Sequence, residues 1–176
     1  MLTVRLVDDL HQLALADSDR LPLNLGPVDL RGLIDGIRMT IGPELDDEGV
    51  ALVVDLPPDL PVIEADGQRI EQVILNLLEN AMRYTPSGKE IRIAAAVVEG
   101  GAVEVSVCDS GPGLSEDDLE HVFDRFYRAD PSRARRSGGS GLGLAIAKAL
   151  IEAHNGRIWA ENSAEGGACF QFTLPS

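Results

Sequence analysis

At 176 residues the chain is long enough for one domain with a substantial core and too short for two full ones. With 29 acidic against 15 basic residues and a formal charge of −14, it lacks the positive surface of a nucleic-acid binder or of a protein drawn to anionic lipid. No stretch reaches the roughly 18 apolar residues of a membrane span and the N-terminus lacks a secretory apolar centre, so the chain itself is expected to be cytoplasmic and not to insert in a membrane.

The first 20 residues place Leu6, Leu10, Leu13 and Ala14 at helical spacing, then meet the prolines of "LPLNLGPVDL". They read as the end of a helix followed by a linker over residues 21 to 27, with the main domain spanning 28 to 176. A second helix is expected from Val28 to about Ile41, with Leu30, Leu33, Ile34 and Ile37 on one face and Asp29 as its cap. Two short strands follow in "VALVVDLP" and "PVIEAD". Residues 66 to 84 carry the strongest helical pattern in the chain. Beyond them "KEIRIAAAVVEGGAVEVSVCD" alternates with period two about Gly100 and Gly101, the pattern of an antiparallel hairpin.

Ser115 before Glu116, Asp117 and Asp118 predicts the cap and acidic first turn of a short helix. A polar, glycine- and arginine-rich segment from Asp130 to Ser140 leads to an apolar helix over about Leu142 to His154, and "GRIWAENS" and "ACFQFTLP" close the chain as a second hairpin. The fold class that results is α/β: a two-layer sandwich of a mixed, mainly antiparallel sheet packed against about three helices. Cys108 and Cys169 lie too far apart in sequence for a disulfide scaffold or zinc site, and we read both as small core residues.

Four stretches carry chemistry. On the helix of residues 66 to 84, Asn76, Asn80 and Arg83 share a face opposite the apolar stripe. Asparagine competes with the helix backbone for hydrogen bonds, so two of them four apart invite an explanation. The face is either a solvated polar surface or a ligand surface, because amide oxygens are hard-cation ligands that add no charge, Arg83 suits phosphate, and Tyr84 offers a ring. "DSGPGLS" ends a strand at Asp109 and continues through Gly111 and Gly113, a backbone able to approach something closely. "HVFDRFYRADPSRARRS" gathers Phe123, Phe126 and Tyr127 with Arg125, Arg128, Arg133, Arg135 and Arg136, either a small apolar cluster under a loop or an anion clamp. "GGSGLGL" opens the following helix, as a mobile linker or as a phosphate loop; it lacks the Gly-Lys-Ser/Thr ending of a Walker loop.

The order of these blocks, "NLLENAMRYTP", "DSGPG", "FDRFYR" and "GGSGLGLAIAK", resembles the catalytic ATP-binding domain of sensor histidine kinases. That domain belongs to the wider Bergerat-fold group that includes gyrase, MutL-type repair proteins and heat-shock chaperones. The resemblance implies that Asp109 accepts a hydrogen bond from the adenine amine while Gly111 and Gly113 pass close to the base. It implies Asn80 as a magnesium ligand, Arg83 and Tyr84 as contacts to phosphate and base, and Gly139, Gly141 and Gly143 as a lid on the triphosphate. Asn76, Leu114, Tyr127, Arg128 and Leu142 complete the implied nucleotide set, with Asn80 and Arg83 the catalytic pair.

The resemblance also implies a downstream response regulator, a homodimer for the full-length receptor, and anchorage of that receptor in the bacterial plasma membrane. The acceptor histidine would stand on a dimerisation domain, in a block like His-Glu-Leu-Arg-Thr-Pro that this chain lacks; residues 1 to 20 read as the tail of that domain's second helix. In the ATPase branch a glutamate activates water four residues before the magnesium asparagine, where this chain has Asn76, so kinase chemistry is favoured over the alternative of a conformational ATPase. One departure stands out: the family carries a Ser or Thr shortly before the residue matching Phe170, and here Ala168 and Cys169 take that place.

Overall fold

The computed structural model describes residues 2–17, 21–129 and 140–175. Helix α1 (Leu2–Asp17) leads to strand β1 (Gly26–Val28) and helix α2 (Leu30–Glu48). Strands β2 (Ala51–Asp55) and β3 (Ile63–Ala65) precede helix α3 (Gly67–Tyr84). Strands β4 (Glu90–Val97) and β5 (Val103–Cys108), the short helix α4 (Glu116–His121), helix α5 (Gly143–Ala153), and strands β6 (Arg157–Asn162) and β7 (Ala168–Leu174) complete the fold.

One five-stranded sheet runs β2-β4-β5-β7-β6, parallel only between β2 and β4. Alternation sorts the strands: Ile91, Ile93, Val103, Val105, Val107, Phe170 and Phe172 point into the core, where α2, α3 and α5 cover them. The expected two-layer mixed sandwich is thus the observed one. Asp66 caps α3, its Oδ1 accepting from Arg69 N at 3.2 Å, and the stripe Ile70, Val73, Ile74, Leu77, Leu78, Ala81 is buried along the whole helix. α1 packs on α5, with Leu13 buried.

Four details differ from the sequence reading or go beyond it. Helix α2 begins after Val28, which belongs to β1, and does not stop near Ile41. It runs through Pro43 to Glu48 because Ile41 and Leu45 extend the buried stripe, and Gly49 ends it in a left-handed conformation, φ 68°. Burial of that extra turn outweighs the hydrogen bond a proline removes. β1, three residues with a proline at its centre, pairs antiparallel with β3, so the supposed linker ends inside a small two-stranded sheet.

The two cysteines are not separate small core side chains, although Cys169 is buried and Cys108 partly so. Cys108 and Cys169 sit opposite one another on β5 and β7 and form a disulfide, on the sheet face turned away from the helices. The reading from sequence separation failed because β-pairing brings together residues that lie 61 apart. Finally, His154, where the sequence pattern marked only the end of a helix, does end α5 and is buried there: its Nε2 accepts from Asp66 N at 3.0 Å and its Nδ1 lies 2.7 Å from Leu150 O, tying the end of α5 to the start of α3.

Candidate functional site

Helix α3 is the floor of the site. Because its apolar stripe is buried, the opposite face, with Asn76, Asn80 and Arg83, turns toward a cleft of about 750 Å3 that is also lined by Tyr84, Leu114, Tyr127, Arg128, Gly141 and Gly143. Nine of the predicted residues therefore share one cavity. Asn76 does structural work there: its Nδ2 donates to Gly143 O at 3.0 Å, holding the first turn of α5 against α3. Asn80 is half-buried and makes no side-chain hydrogen bond among the described residues, and Arg83 likewise has no ion-pair partner among them.

The far wall is built from α4 and the turn after it. Ser115 and Asp118 form a reciprocal capping box, and the acidic first turn suits the positive end of the helix. Tyr127 donates its hydroxyl to Asp118 Oδ1 at 2.9 Å, and that carboxylate pushes the phenol up to about 12. Toward a ligand Tyr127 thus presents its ring, its proton being engaged elsewhere. Phe126 N donates to Gly141 O at 2.9 Å, and both residues adopt positive φ, 63° and 73°. A Cβ on Gly141 would stand 3.0 Å from the Phe126 Cα, so the aromatic segment and the glycine segment fit only with glycine there. Leu142 is fully buried; its side chain belongs to the core and only its backbone could meet a ligand. Gly139, Arg133, Arg135 and Arg136 lie outside the described residues.

Asp109 sits at the end of β5, 5% exposed. Its Oδ1 accepts from Gly111 N at 2.8 Å and from Ala168 N at 3.2 Å, and its own N donates to Ala168 O at 2.9 Å. Burial raises its pKa above the usual carboxylate value, with the two backbone donors opposing that effect. Both side-chain hydrogen bonds fall on Oδ1, which leaves Oδ2 for a ligand donor. Asp109 and Gly111 line a second pocket of about 490 Å3 that shares no lining residue with the first, and the walls of the two meet where a Cβ on Gly111 would lie 2.7 Å from the carbonyl oxygen of Tyr84, itself a residue of the first. Gly113 lines neither cavity; it adopts φ 78° and rests against Asn162.

Residues outside the predicted set also shape the site. Asn162, at the end of β6, holds the backbone of Leu114, and Gly167, at φ 88°, lets the turn before β7 press on the Asp109 carbonyl. No pattern in the sequence marks Asn162. The doublet Gly166-Gly167 is a visible turn signal whose contact with Asp109 needs the β5–β7 pairing to be known.

Residues 65–176 match the family described as histidine kinase-, DNA gyrase B-, and HSP90-like ATPase. The chain is 43% identical over 171 residues to the signal transduction histidine-protein kinase BaeS of Escherichia coli, covering 97% of this chain and 36% of that protein. It is 39% identical over 170 residues to the sensor histidine kinase MtrB of Mycobacterium tuberculosis, covering 97% and 30%. The chain thus spans about a third of the length of these curated relatives. Among solved structures it is similar to full-length ShkA in complex with AMPPNP, with TM-score 0.85, 31% identity, and 98% of this chain and 35% of that one covered. The catalytic domain of the histidine kinase ThkA, nucleotide free, gives TM-score 0.76 at 30% identity, covering 86% of this chain and 95% of that domain.

Proposed function

Because the chain belongs to the histidine kinase-, DNA gyrase B- and HSP90-like ATPase family, we propose that it works as the catalytic half of a sensor histidine kinase, binding ATP with Mg2+ and presenting the γ-phosphate to a histidine on a dimerisation domain. In this reading the adenine amine donates to Asp109 Oδ2. A ring with a carbonyl at that place would leave the carboxylate unpaired, so adenine is preferred over guanine. Arg83 meets phosphate oxygens from the floor of the cleft, and the glycines that open α5 offer backbone N–H groups to the same anion.

The donor set fits a metal brought by the nucleotide. Among the described residues no three His, Cys, Asp or Glu side chains are grouped to hold an ion alone, whereas Asn80 offers one neutral oxygen beside a phosphate site. Mg2+ held between Asn80 and the phosphates would neutralise charge on the transferring group. In the transfer a phosphorus–nitrogen bond forms to the imidazole as the bond to the ADP oxygen breaks.

The observation that carries kinase over ATPase chemistry is Asn76. Its amide already donates to Gly143 O and has no basic site to take a proton from water. The acceptor domain, a response regulator, a cytoplasmic location and membrane anchorage of a parent receptor belong to the same proposal. Its support is the similarity to named sensor kinases.

The test is radioactive ATP with the purified chain, alone and with an acceptor domain supplied in trans. Alone, the chain should release phosphate very slowly and carry no label. With the acceptor domain, acid-labile, base-stable label should appear on that domain's histidine and should fall sharply in Asn80→Ala. Rapid phosphate release by the chain alone, or label on His11, His121 or His154, would overturn the assignment.

A further inference from the structure

We propose that Cys108 and Cys169 form a reversible thiol–disulfide switch that sets the affinity of the adenine site; this rests on the nucleotide-binding reading above. The two residues pair directly across β5 and β7 with a Cα–Cα distance of 4.0 Å. The next pair along the ladder is Asp109 opposite Ala168, joined by Asp109 N to Ala168 O at 2.9 Å and by Ala168 N to Asp109 Oδ1 at 3.2 Å. Past that pair both strands leave the sheet, into Gly111 on one side and Gly167 on the other. The disulfide is therefore the last covalent tie before the buried carboxylate. Its backbone pair is also drawn closer than the about 4.5 Å usual for a non-hydrogen-bonded antiparallel pair.

Its setting suits chemistry. Alternation along the strands puts both sulfurs on the sheet face away from the helices, and Cys108 is only partly buried. Cys108 and Asp109 line the same pocket of about 490 Å3, so a small thiol or disulfide that reaches the sulfur also reaches the wall of the adenine site. Arg92 stands opposite Cys108 on β4, ion-paired with Glu90 at 2.9 Å, and the pocket beside the sulfur is lined by Lys89 together with Glu90, Asp109 and Glu165. The charge around the sulfur is thus mixed, and what the setting supplies is access to it; the thiolate remains the species that attacks disulfides.

The exchange balances without a metal or flavin. The Cys108 thiolate attacks one sulfur of a small-molecule disulfide of the glutathione class, forming a mixed disulfide and expelling one thiolate. Cys169 then loses its proton and attacks the Cys108 sulfur, expelling the second thiol. Two electrons and two protons pass to the small disulfide; a small thiol in excess runs the steps backward. With the bond closed, the β5–β7 end is clamped and Ala168 N stays on Asp109. With it open, the two sulfurs must separate to nonbonded distance, the terminal pair loosens, and the carboxylate loses its fixed aim.

The test compares nucleotide affinity of the full chain after equilibration with glutathione disulfide and after reduction with a dithiol, free thiols being counted by mass spectrometry after alkylation. Reduction should lower ATP affinity by about five- to tenfold, the scale of one weakened hydrogen bond to a buried carboxylate. The Cys108→Ser/Cys169→Ser variant should show one affinity, near the reduced value, in both buffers. Equal ATP affinity of the two redox forms overturns the switch and leaves the nucleotide reading standing; absence of ATP binding in both forms overturns the two together. Loss of the cooperative melt on reduction, or failure of the pair to exchange with glutathione, also overturns the switch, because the bond would then be a fixed staple.

Discussion

Asn162 grips Leu114 through both ends of its amide: Oδ1 accepts from Leu114 N and Nδ2 donates to Leu114 O, each at 2.8 Å. A side chain at the end of β6 thereby supplies a ladder-like pairing to a stretch of chain that has left the sheet, and fixes how the backbone after Asp109 runs past the cleft. Asn162→Ala removes both bonds, each worth about 1 kcal/mol net, and should weaken ATP binding about three- to tenfold while leaving the core intact. Asn162→Asp keeps the acceptor but turns an oxygen toward the Leu114 carbonyl, so it should do no better than alanine. Hydrogen exchange at residues 111 to 115 faster in both variants than in the parent is the accompanying sign; unchanged exchange and affinity would remove Asn162 from the site.

Glycines at two positions make opposite demands. A Cβ on Gly111 would lie 2.7 Å from Tyr84 O and 2.8 Å from Asp109 Oδ1, and both are held in place. Gly111→Ala should destabilise the fold by about 1 to 3 kcal/mol. Gly36, inside α2, has nothing within 4 Å of its would-be Cβ and no positive φ. Gly36→Ala should stabilise by about 1 kcal/mol through helix propensity, a rise of roughly 2 to 4 °C in Tm. Thermal melts of the two variants should move in opposite directions.

Asp109 places a buried ionisable group where the proposed function puts the adenine amine. Its folded-state pKa is raised by desolvation, so its contribution to stability is fully present when the carboxyl is protonated, below the ordinary carboxylate value. That contribution is lost as pH rises through the raised folded value, because the native protein must then ionise a buried group. Asp109→Asn still accepts from Gly111 N and Ala168 N through its carbonyl oxygen. The nucleotide-free variant should therefore be at least as stable as the parent at neutral pH and should lose less stability between the acidic range and neutrality. ATP affinity should move the other way, weakening by about 1 to 3 kcal/mol as the charged acceptor is lost. Denaturant titrations across pH, paired with ATP titrations, separate the two effects; a less stable variant at neutral pH would mean that the carboxylate charge is itself structural.

The contrast between what the sequence makes legible and what it hides follows the range of the interactions. The α3 stripe, the capping residues Asp29 and Ser115, and both long hairpins are written in local patterns, and the structure follows them. The polar face of α3 was also visible, because helical spacing alone puts Asn76, Asn80 and Arg83 together. What stayed hidden depends on chain segments that meet only after folding: Cys108 with Cys169, Asn162 with Leu114, His154 with Asp66. The extension of α2 past Pro43 was hidden for a related reason, since the burial that sustains it comes from the rest of the core.

The two asparagines of α3 supply the sharpest separation between holding the protein together and holding its ligand. They lie one turn apart on the same face, yet among the described residues only Asn76 finds a partner, Gly143 O at 3.0 Å. Asn76→Ala should therefore cost about 0.5 to 1.5 kcal/mol of stability without any ligand and should speed hydrogen exchange in the first turn of α5, whose contact to α3 it removes. Asn80 is half-buried and makes no side-chain hydrogen bond among the described residues, so Asn80→Ala should change the ligand-free melt by no more than about 0.5 kcal/mol. Its effect should appear with the nucleotide. In the parent chain Mg2+ should strengthen ATP binding; in Asn80→Ala that gain should largely vanish, while affinity for ATP without metal stays close to the parent value, because only the metal loses a ligand. Thermal melts and ATP titrations with and without Mg2+ read both halves. An Asn80→Ala chain that still gains as much from Mg2+ as the parent would remove Asn80 as the metal contact and return the polar face of α3 to the role of solvated surface.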